Sequence, residues 1–194
     1  METDRAIIRL REGNARFEAG DVRAKPINEE FRRQLAEAQK PFACVITCSD
    51  SRVAPEIVFD QNLGDLFVVR VAGTVSSDEV TGSVEFAVQQ LGVPLVVVMA
   101  HANCGAVAAA LSGQPISGAL AEIIDRLRPF VAPAKEGGHE GRRLEAEVSR
   151  RNTRHVIESL MTDSSAIAHA VTKNRVGLHR AYYDPASGHV EWDF

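Results

Sequence analysis

Hydrophobic and polar positions follow a helical period in the first part of the chain. Over Asp4–Ala19, apolar residues such as Ile7 and Leu10 recur among charged ones, and Gly20 follows. This spacing predicts an amphipathic helix that ends at Gly20. A second short helix is predicted over Asn28–Ala38. Residues 1–38 thus form a predicted N-terminal helical arm, which must cover either the core of its own chain or another subunit.

Short apolar runs alternate with helical segments in the rest of the chain. The predicted strands are Phe42–Thr47, Leu66–Val71, Leu95–Met99 and Val176–Tyr183, with a hairpin partner at His189–Phe194. The predicted helices are Ser77–Leu91, Asn103–Leu111, Ser117–Phe130 and roughly Glu140–Met161. The third strand is almost uninterrupted valine, which indicates burial on both of its faces.

Strands that alternate with helices predict an α/β fold with a mainly parallel β-sheet flanked by helices. The N-terminal helical arm and a C-terminal antiparallel hairpin strand complete this fold. One domain is expected over residues 1–194, because no internal repeat, low-complexity tract or linker divides the sequence. Ligand sites in such folds form beyond the carboxyl ends of the strands. Candidate chemistry is therefore sought at the strand ends.

Composition and charge narrow the classes of function. The 194 residues are 45% hydrophobic and 25% charged, with a net charge of −4, which is typical of a globular protein without a basic face for nucleic acid. The longest apolar run, Val93–Ala100, is too short to cross a membrane. The first residues lack the basic start and apolar stretch of a signal peptide. We therefore expect a cytoplasmic protein with no nucleic-acid partner and no membrane partner.

Two strand ends carry residues that bind metals. Cys48 directly follows the first strand, and His101 and Cys104 follow the third. Three cysteines form an odd number, which favours reduced thiols or thiolate ligands over a disulfide framework. A single cysteine after a strand is more often a small core residue, and His-x-x-Cys alone is a weak signal. Both signals at neighbouring strand ends favour a zinc site with sulfur and nitrogen ligands.

The surrounding motifs resemble those of the β-class carbonic anhydrases. Cys-Ser-Asp-Ser-Arg-Val at residues 48–53 is paired with His-x-x-Cys-Gly at residues 101–105, and this pairing is the specific part of the likeness. Further similarity covers residues 10–17, 65–73, 83–88 and 181–184. The resemblance implies one Zn²⁺ per chain, held by Cys48, His101 and Cys104. It also implies reversible hydration of carbon dioxide to bicarbonate and a proton, by attack of zinc-bound hydroxide.

Asp50 and Arg52 are the catalytic residues that the resemblance implies. Arg52 can pair with the Asp50 carboxylate through a bidentate fork. In the open form of the family, Asp50 then accepts a hydrogen bond from the zinc-bound water. In the closed form, Asp50 becomes a fourth zinc ligand. Val45 stands where the closing subtype has tryptophan, so the sequence favours the open, non-allosteric subtype. The alternative interpretation of Asp50 and Arg52 is an ordinary surface ion pair without a catalytic role.

Four further residues are implied to line the substrate pocket. Gln39 and Phe67 occupy positions that match the open subtype, whereas Phe86 replaces its usual tyrosine and so lacks one hydroxyl. Gly105 begins the helix after the third strand, where its backbone N–H can donate to a ligand sulfur. Gly105 can equally serve only for close strand-to-helix packing.

Other functions and assemblies remain open at this level. Relatives with the same fold and ligands hydrolyse carbon disulfide or carbonyl sulfide. A non-catalytic zinc-stabilised scaffold would have Asp50 permanently on the metal. Thiol redox chemistry is disfavoured because no Cys-x-x-Cys motif is present. Members of the family place their substrate pockets at a dimer interface, so the resemblance implies a homodimer or a homotetramer.

Overall fold

The computed structural model describes residues 2–25 and 27–193, in which two helices precede a set of strands connected mainly by helices. The strands are β1 (Ala43–Thr47), β2 (Leu66–Arg70), β3 (Leu95–His101), β4 (Gly177–Tyr183) and β5 (Val190–Trp192). The helices are α1 (Glu2–Glu18), α2 (Glu29–Glu37), α3 (Pro55–Val58), α4 (Asp78–Gln89), α5 (Gly105–Ser112), α6 (Ala119–Leu127), α7 (Val131–Glu136), α8 (Gly141–Asp163) and α9 (Ser165–Thr172).

The described strands form one sheet in the order β2-β1-β3-β4-β5. All neighbouring pairs are parallel except β4 and β5, which pair antiparallel. This arrangement confirms the predicted fold class and its C-terminal hairpin. Because Thr47 pairs with Met99, the carboxyl ends of β1 and β3 lie side by side. The residues that follow these two strands are therefore close in space.

Apolar side chains cover both faces of the sheet. Every residue of β1 and β3 is buried, as the valine-rich sequence of β3 predicts. Val45 and Met99 face α1 and α3, whereas Cys44 and Val98 face α4, α8 and α9. A third apolar cluster lies beyond the strand ends, where α5, α6 and α7 pack around Cys48 and Cys104.

The two N-terminal helices behave differently. Leu10 of α1 is fully buried against the sheet, so this helix covers the core of its own chain. Asn14 of α1 fixes the helix to the C-terminal hairpin, because its amide donates to the carbonyl oxygen of Gly188 and accepts from the N–H of Val190. In α2 no residue is buried. Only the first part of the predicted arm therefore packs on its own core.

Several short elements differ from the sequence-based prediction. The helices α3, α7 and α9 were not predicted, because segments of four to eight residues carry too little periodic signal. The strand β3 extends to His101, since Ala100 and His101 pair with Tyr182 and Tyr183. The predicted partner His189–Phe194 is observed as Val190–Trp192, and Phe194 lies outside the described residues.

Within residues 2–25 and 27–193, the helices are all too short or too polar to cross a bilayer. The cytoplasmic location stays a prediction from the sequence.

Candidate metal centre

Cys48, His101 and Cys104 converge beyond the carboxyl ends of β1 and β3. Cys48 is the first residue after β1, His101 is the last residue of β3, and Cys104 directly precedes α5. Their candidate ligand atoms all lie within 4.8 Å of one another, and all three residues are buried. The structure thus brings together the predicted ligand set.

A left-handed residue makes the short His-x-x-Cys connection possible. Asn103 has a φ of 55°, a conformation that asparagine tolerates better than most residues. The preceding Ala102 N–H donates to the carbonyl oxygen of Tyr183 at 2.9 Å, which ties the turn to β4. The chain therefore reverses within two residues and turns His101 and Cys104 toward the same point.

The imidazole of His101 presents one nitrogen to the centre. Its Nδ1 lies 2.9 Å from the carbonyl oxygen of Ala102, so this nitrogen must be the donor and Nε2 carries the free lone pair. The buried Nε2 has no hydrogen-bond partner in the described chain. A buried acceptor is costly unless a hydrogen-bond donor or a cation satisfies it. This orphaned nitrogen fits a metal ligand.

The two thiols are spaced for a tetrahedral metal. The sulfur atoms of Cys48 and Cys104 are 4.0 Å apart, and zinc–sulfur bonds of about 2.3 Å at a tetrahedral angle place two sulfurs about 3.8 Å apart. Contact with Cys104 lowers the pKa of Cys48, whereas contact with Cys48 and burial raise the pKa of Cys104. The pair alone favours one thiolate, and a divalent cation would stabilise both as thiolates. The donor set therefore fits Zn²⁺.

Asp50 is held beside the centre by Arg52. The Arg52 guanidinium donates from Nε to Oδ1 at 2.9 Å and from Nη2 to Oδ2 at 2.7 Å, which is the predicted bidentate pair. The same Nη2 also donates to the carbonyl oxygen of Asn103 at 3.1 Å. Hydrogen bonding to Arg52 holds the pKa of Asp50 well below its usual range. Both carboxylate oxygens are thus engaged by the guanidinium.

Arg70, at the end of β2, is a site residue that sequence analysis missed. It donates to the carbonyl oxygen of Cys48 at 3.0 Å and to that of Asp50 at 2.6 Å. These bonds fix the backbone that carries the Cys48 and Asp50 side chains. A single arginine that interrupts the apolar run Leu66–Val71 is the signal that could have indicated it.

Three predicted pocket residues lie away from this centre within one chain. Gln39 is exposed in the segment before β1. Phe67 pairs in register with Cys44, and its ring contacts that of Phe86 at a centroid distance of 6.0 Å. The four residues from Cys44 to Cys48 span about 13 Å of extended chain. The aromatic pair therefore lies toward the opposite end of the strands.

Gly105, the fourth predicted pocket residue, lies next to Cys104 as the first residue of α5. The N–H that donates to the Cys48 sulfur is that of Gly73, at 3.3 Å. Backbone N–H groups of Val107 and Ala106 oppose the rise in the pKa of Cys104. The structure thus shows this outer hydrogen bond from a turn after β2, which the sequence did not indicate.

Two polar residues of α8 also contact the ligand loops. Glu145 accepts a hydrogen bond from the backbone N–H of Cys104, and Asn152 donates to the turn that contains Gly73. No local pattern in the sequence indicates them, because α8 is rich in charged residues along its whole length.

Comparisons with known proteins agree on one family. Residues 43–190 match the protein-family model described as "Carbonic anhydrase". The chain is 41% identical over 186 residues to a carbonic anhydrase of Mycolicibacterium smegmatis, covering 94% of this chain and 89% of the relative. It is 40% identical over 183 residues to carbonic anhydrase 2 of Mycobacterium tuberculosis, covering 92% and 87%.

Solved structures show the same similarity. One of two tetrameric β-carbonic anhydrases of Sordaria macrospora superposes with a TM-score of 0.79 at 27% identity, covering 85% of this chain and 86% of that one. The β-carbonic anhydrase CafA of Aspergillus fumigatus gives a TM-score of 0.77 at 29% identity, covering 84% and 80%.

Proposed function

The chain belongs to the carbonic anhydrase family, in its β class, and from that premise we propose that Cys48, His101 and Cys104 hold the zinc ion on which its carbon dioxide hydration depends. The observation that carries this proposal is the buried, unpartnered Nε2 of His101 beside two cysteine sulfurs 4.0 Å apart. Bound there, zinc would lower the pKa of a water molecule toward neutrality and so supply a nucleophile at physiological pH.

Asp50 is proposed to orient that water. Its carboxylate is held by Arg52, and Arg52 is itself anchored on the carbonyl oxygen of Asn103. An ionised carboxylate can only accept hydrogen bonds, so it would direct one water proton toward itself. The engagement of both carboxylate oxygens by Arg52 supports the open form, in which Asp50 stays off the metal and three protein ligands leave the fourth position free.

A second copy of the chain is proposed to complete the substrate pocket. Gln39 precedes β1, and Phe67 packs with Phe86 of α4 near the start of β2, so the three residues lie toward the end of the sheet opposite the metal centre of their own chain. The Phe86 side chain is 47% exposed although it is large and apolar. A homodimer or homotetramer can bring these residues of one subunit to the metal centre of another, and the tetrameric structural neighbour supports this assembly.

Hydration assays on metal-loaded and metal-free protein test the site. Native mass spectrometry is expected to give one zinc per chain, and chelation is expected to abolish activity until zinc is restored. Asp50→Asn should lower kcat/KM by about 10² or more with zinc content unchanged. Asp125→Asn is the matched control, because Asp125 also pairs with an arginine and its side chain is 57% exposed.

Other outcomes would support the alternatives. Zinc-loaded protein without hydration activity at any pH would contradict catalysis and favour a zinc-stabilised scaffold. Sulfide release from carbon disulfide or carbonyl sulfide at a higher kcat/KM than carbon dioxide hydration would assign the other substrate class.

A further inference from the structure

Helix α8 reaches the loop of Cys104 through Glu145. The carboxylate Oε1 of Glu145 accepts a hydrogen bond from the backbone N–H of Cys104 at 2.7 Å. Cys104 is the N-cap residue of α5, and its own side chain makes no capping bond there. A carboxylate at this place satisfies a backbone donor and interacts favourably with the positive end of the helix dipole. Glu145 thus fixes the backbone from which one ligand sulfur projects.

The same helix reaches the loop that contacts the other sulfur. Asn152 is only 1% exposed, and its Nδ2 donates to the carbonyl oxygens of Gly73 and Thr74, each at 3.0 Å. Gly73 and Thr74 have φ angles of 71° and 55°, so this turn is held in an unusual backbone conformation. The N–H of Gly73 donates to the sulfur of Cys48.

The two contacts come from one face of one rigid element. Glu145 and Asn152 are seven residues apart, or two helical turns, so their side chains project in similar directions. The hydrogen bonds of both side chains go to backbone atoms. Each side chain holds a backbone segment, one next to Cys104 and one next to Cys48.

We propose that Glu145 and Asn152 are positioning residues of the metal centre. Their hydrogen bonds hold the backbone segments next to the two cysteine ligands in place on α8. The inference rests on the proposed zinc site and adds the elements that set its geometry. Removing either side chain leaves a buried backbone group without its hydrogen-bond partner and lets the corresponding loop shift. Loss of such outer hydrogen bonds typically weakens metal binding tenfold to 100-fold.

Variants of Glu145 separate positioning from general helix stability. Glu145→Ala removes the acceptor, whereas Glu145→Gln keeps a carbonyl oxygen that can accept from Cys104. Glu147→Ala is the matched control, because Glu147 lies on the same helix and pairs with Arg151 rather than with the site. Asn152→Asp keeps the side-chain volume but loses both N–H donors when ionised.

Zinc affinity, measured by competition with a chromophoric chelator, is the first measurement. We expect about a tenfold to 100-fold loss in Glu145→Ala and Asn152→Asp, and native affinity within about threefold in Glu145→Gln and Glu147→Ala. The second measurement is the absorption spectrum of the Co²⁺-substituted protein, since its bands report ligand geometry independently of activity. These bands should change in Glu145→Ala and Asn152→Asp only. Urea unfolding of each metal-free variant controls for stability.

Native affinity and an unchanged Co²⁺ spectrum in Glu145→Ala would overturn the inference. The inference would also be overturned if Glu147→Ala lost as much zinc affinity as Glu145→Ala, because the loss would then reflect the stability of α8. If Asn152→Asp does not fold, the comparison of Glu145→Ala with Glu145→Gln still decides. If the unaltered protein itself binds neither Zn²⁺ nor Co²⁺, the proposed metal site fails instead, so the two failures are distinguishable.

Discussion

At the scale of single residues, the environment of each side chain decides its chemistry. Cys44 lies within β1 and Cys48 directly follows it, yet burial raises the pKa of Cys44 to about 12, whereas contact with Cys104 lowers that of Cys48. Cys44 is therefore a neutral core residue. Cys48 has its sulfur neighbour and an N–H donor only because it lies one residue beyond the strand.

The Asp50–Arg52 pair leads to a prediction at this scale. Arg52→Lys should lower kcat/KM about tenfold to 100-fold with zinc content unchanged, because a lysine ammonium cannot donate to both carboxylate oxygens in parallel. Steady-state hydration kinetics and zinc analysis measure this. The control is Arg128→Lys, because Arg128 forms an exposed ion pair with Asp125 and not with Asp50. Unchanged kinetics in Arg52→Lys would contradict an orienting role for the pair.

At the scale of elements, close backbone approach fixes α1 on the sheet. A Cβ atom added to Gly13 would lie 1.8 Å from the carbonyl oxygen of Phe59, so only glycine fits between α1 and the segment after α3. Next to it, Asn14 joins α1 to the C-terminal hairpin. The helix α1 is therefore fixed both to the segment after α3 and to the C-terminal hairpin.

Gly13→Ala is predicted to destabilise the protein by at least about 2 kcal/mol, since the backbone of α1 or of Phe59 must move. Gly82→Ala is the matched control within α4, where an added Cβ meets no atom within 4 Å. Alanine there should stabilise the protein by roughly 0.5–1 kcal/mol, because glycine is unfavourable inside helices. Urea unfolding of both variants measures the difference. Equal effects in the two variants would show that α1 is not tightly docked.

At the scale of the whole molecule, one face carries apolar side chains that no described part of the chain covers fully. Val22, Ile27, Ile57 and Leu63 are each about half exposed or more, and together they line one surface depression. Exposed apolar patches of this kind typically mark interaction sites. We expect this surface to contribute to contact between subunits, which the proposed substrate pocket requires.

Ile57→Glu should therefore lower the molar mass measured by light scattering toward that of a monomer. Carbon dioxide hydration should fall in parallel, while zinc content stays at one per chain, because the metal ligands all belong to one chain. Leu120→Glu serves as the control, since Leu120 is 52% exposed on α6 and Ile57 is 60% exposed. A fully active monomer would contradict the shared pocket.

The candidate metal ligands and the fold class could be predicted because their signals are local. Apolar runs such as those of β1 and β3 indicate buried parallel strands, and the motifs around Cys48 and His101 directly follow them. The predicted Asp50–Arg52 pair spans only three residues, so its geometry depends little on the rest of the chain. These features follow from side-chain periodicity and from short-range backbone geometry.

Tertiary structure alone decided which distant residues support the centre. Glu145 and Asn152 lie among many polar residues of α8, and only the packing of α8 against the sheet turns them toward the ligand loops. The short helix α9 and the turn at Gly73 likewise depend on contacts far along the chain. The amino-acid sequence by itself determined the strands, the three candidate metal ligands and the paired carboxylate. The outer hydrogen bonds were decided by tertiary structure, because they join segments that only the folded chain brings together.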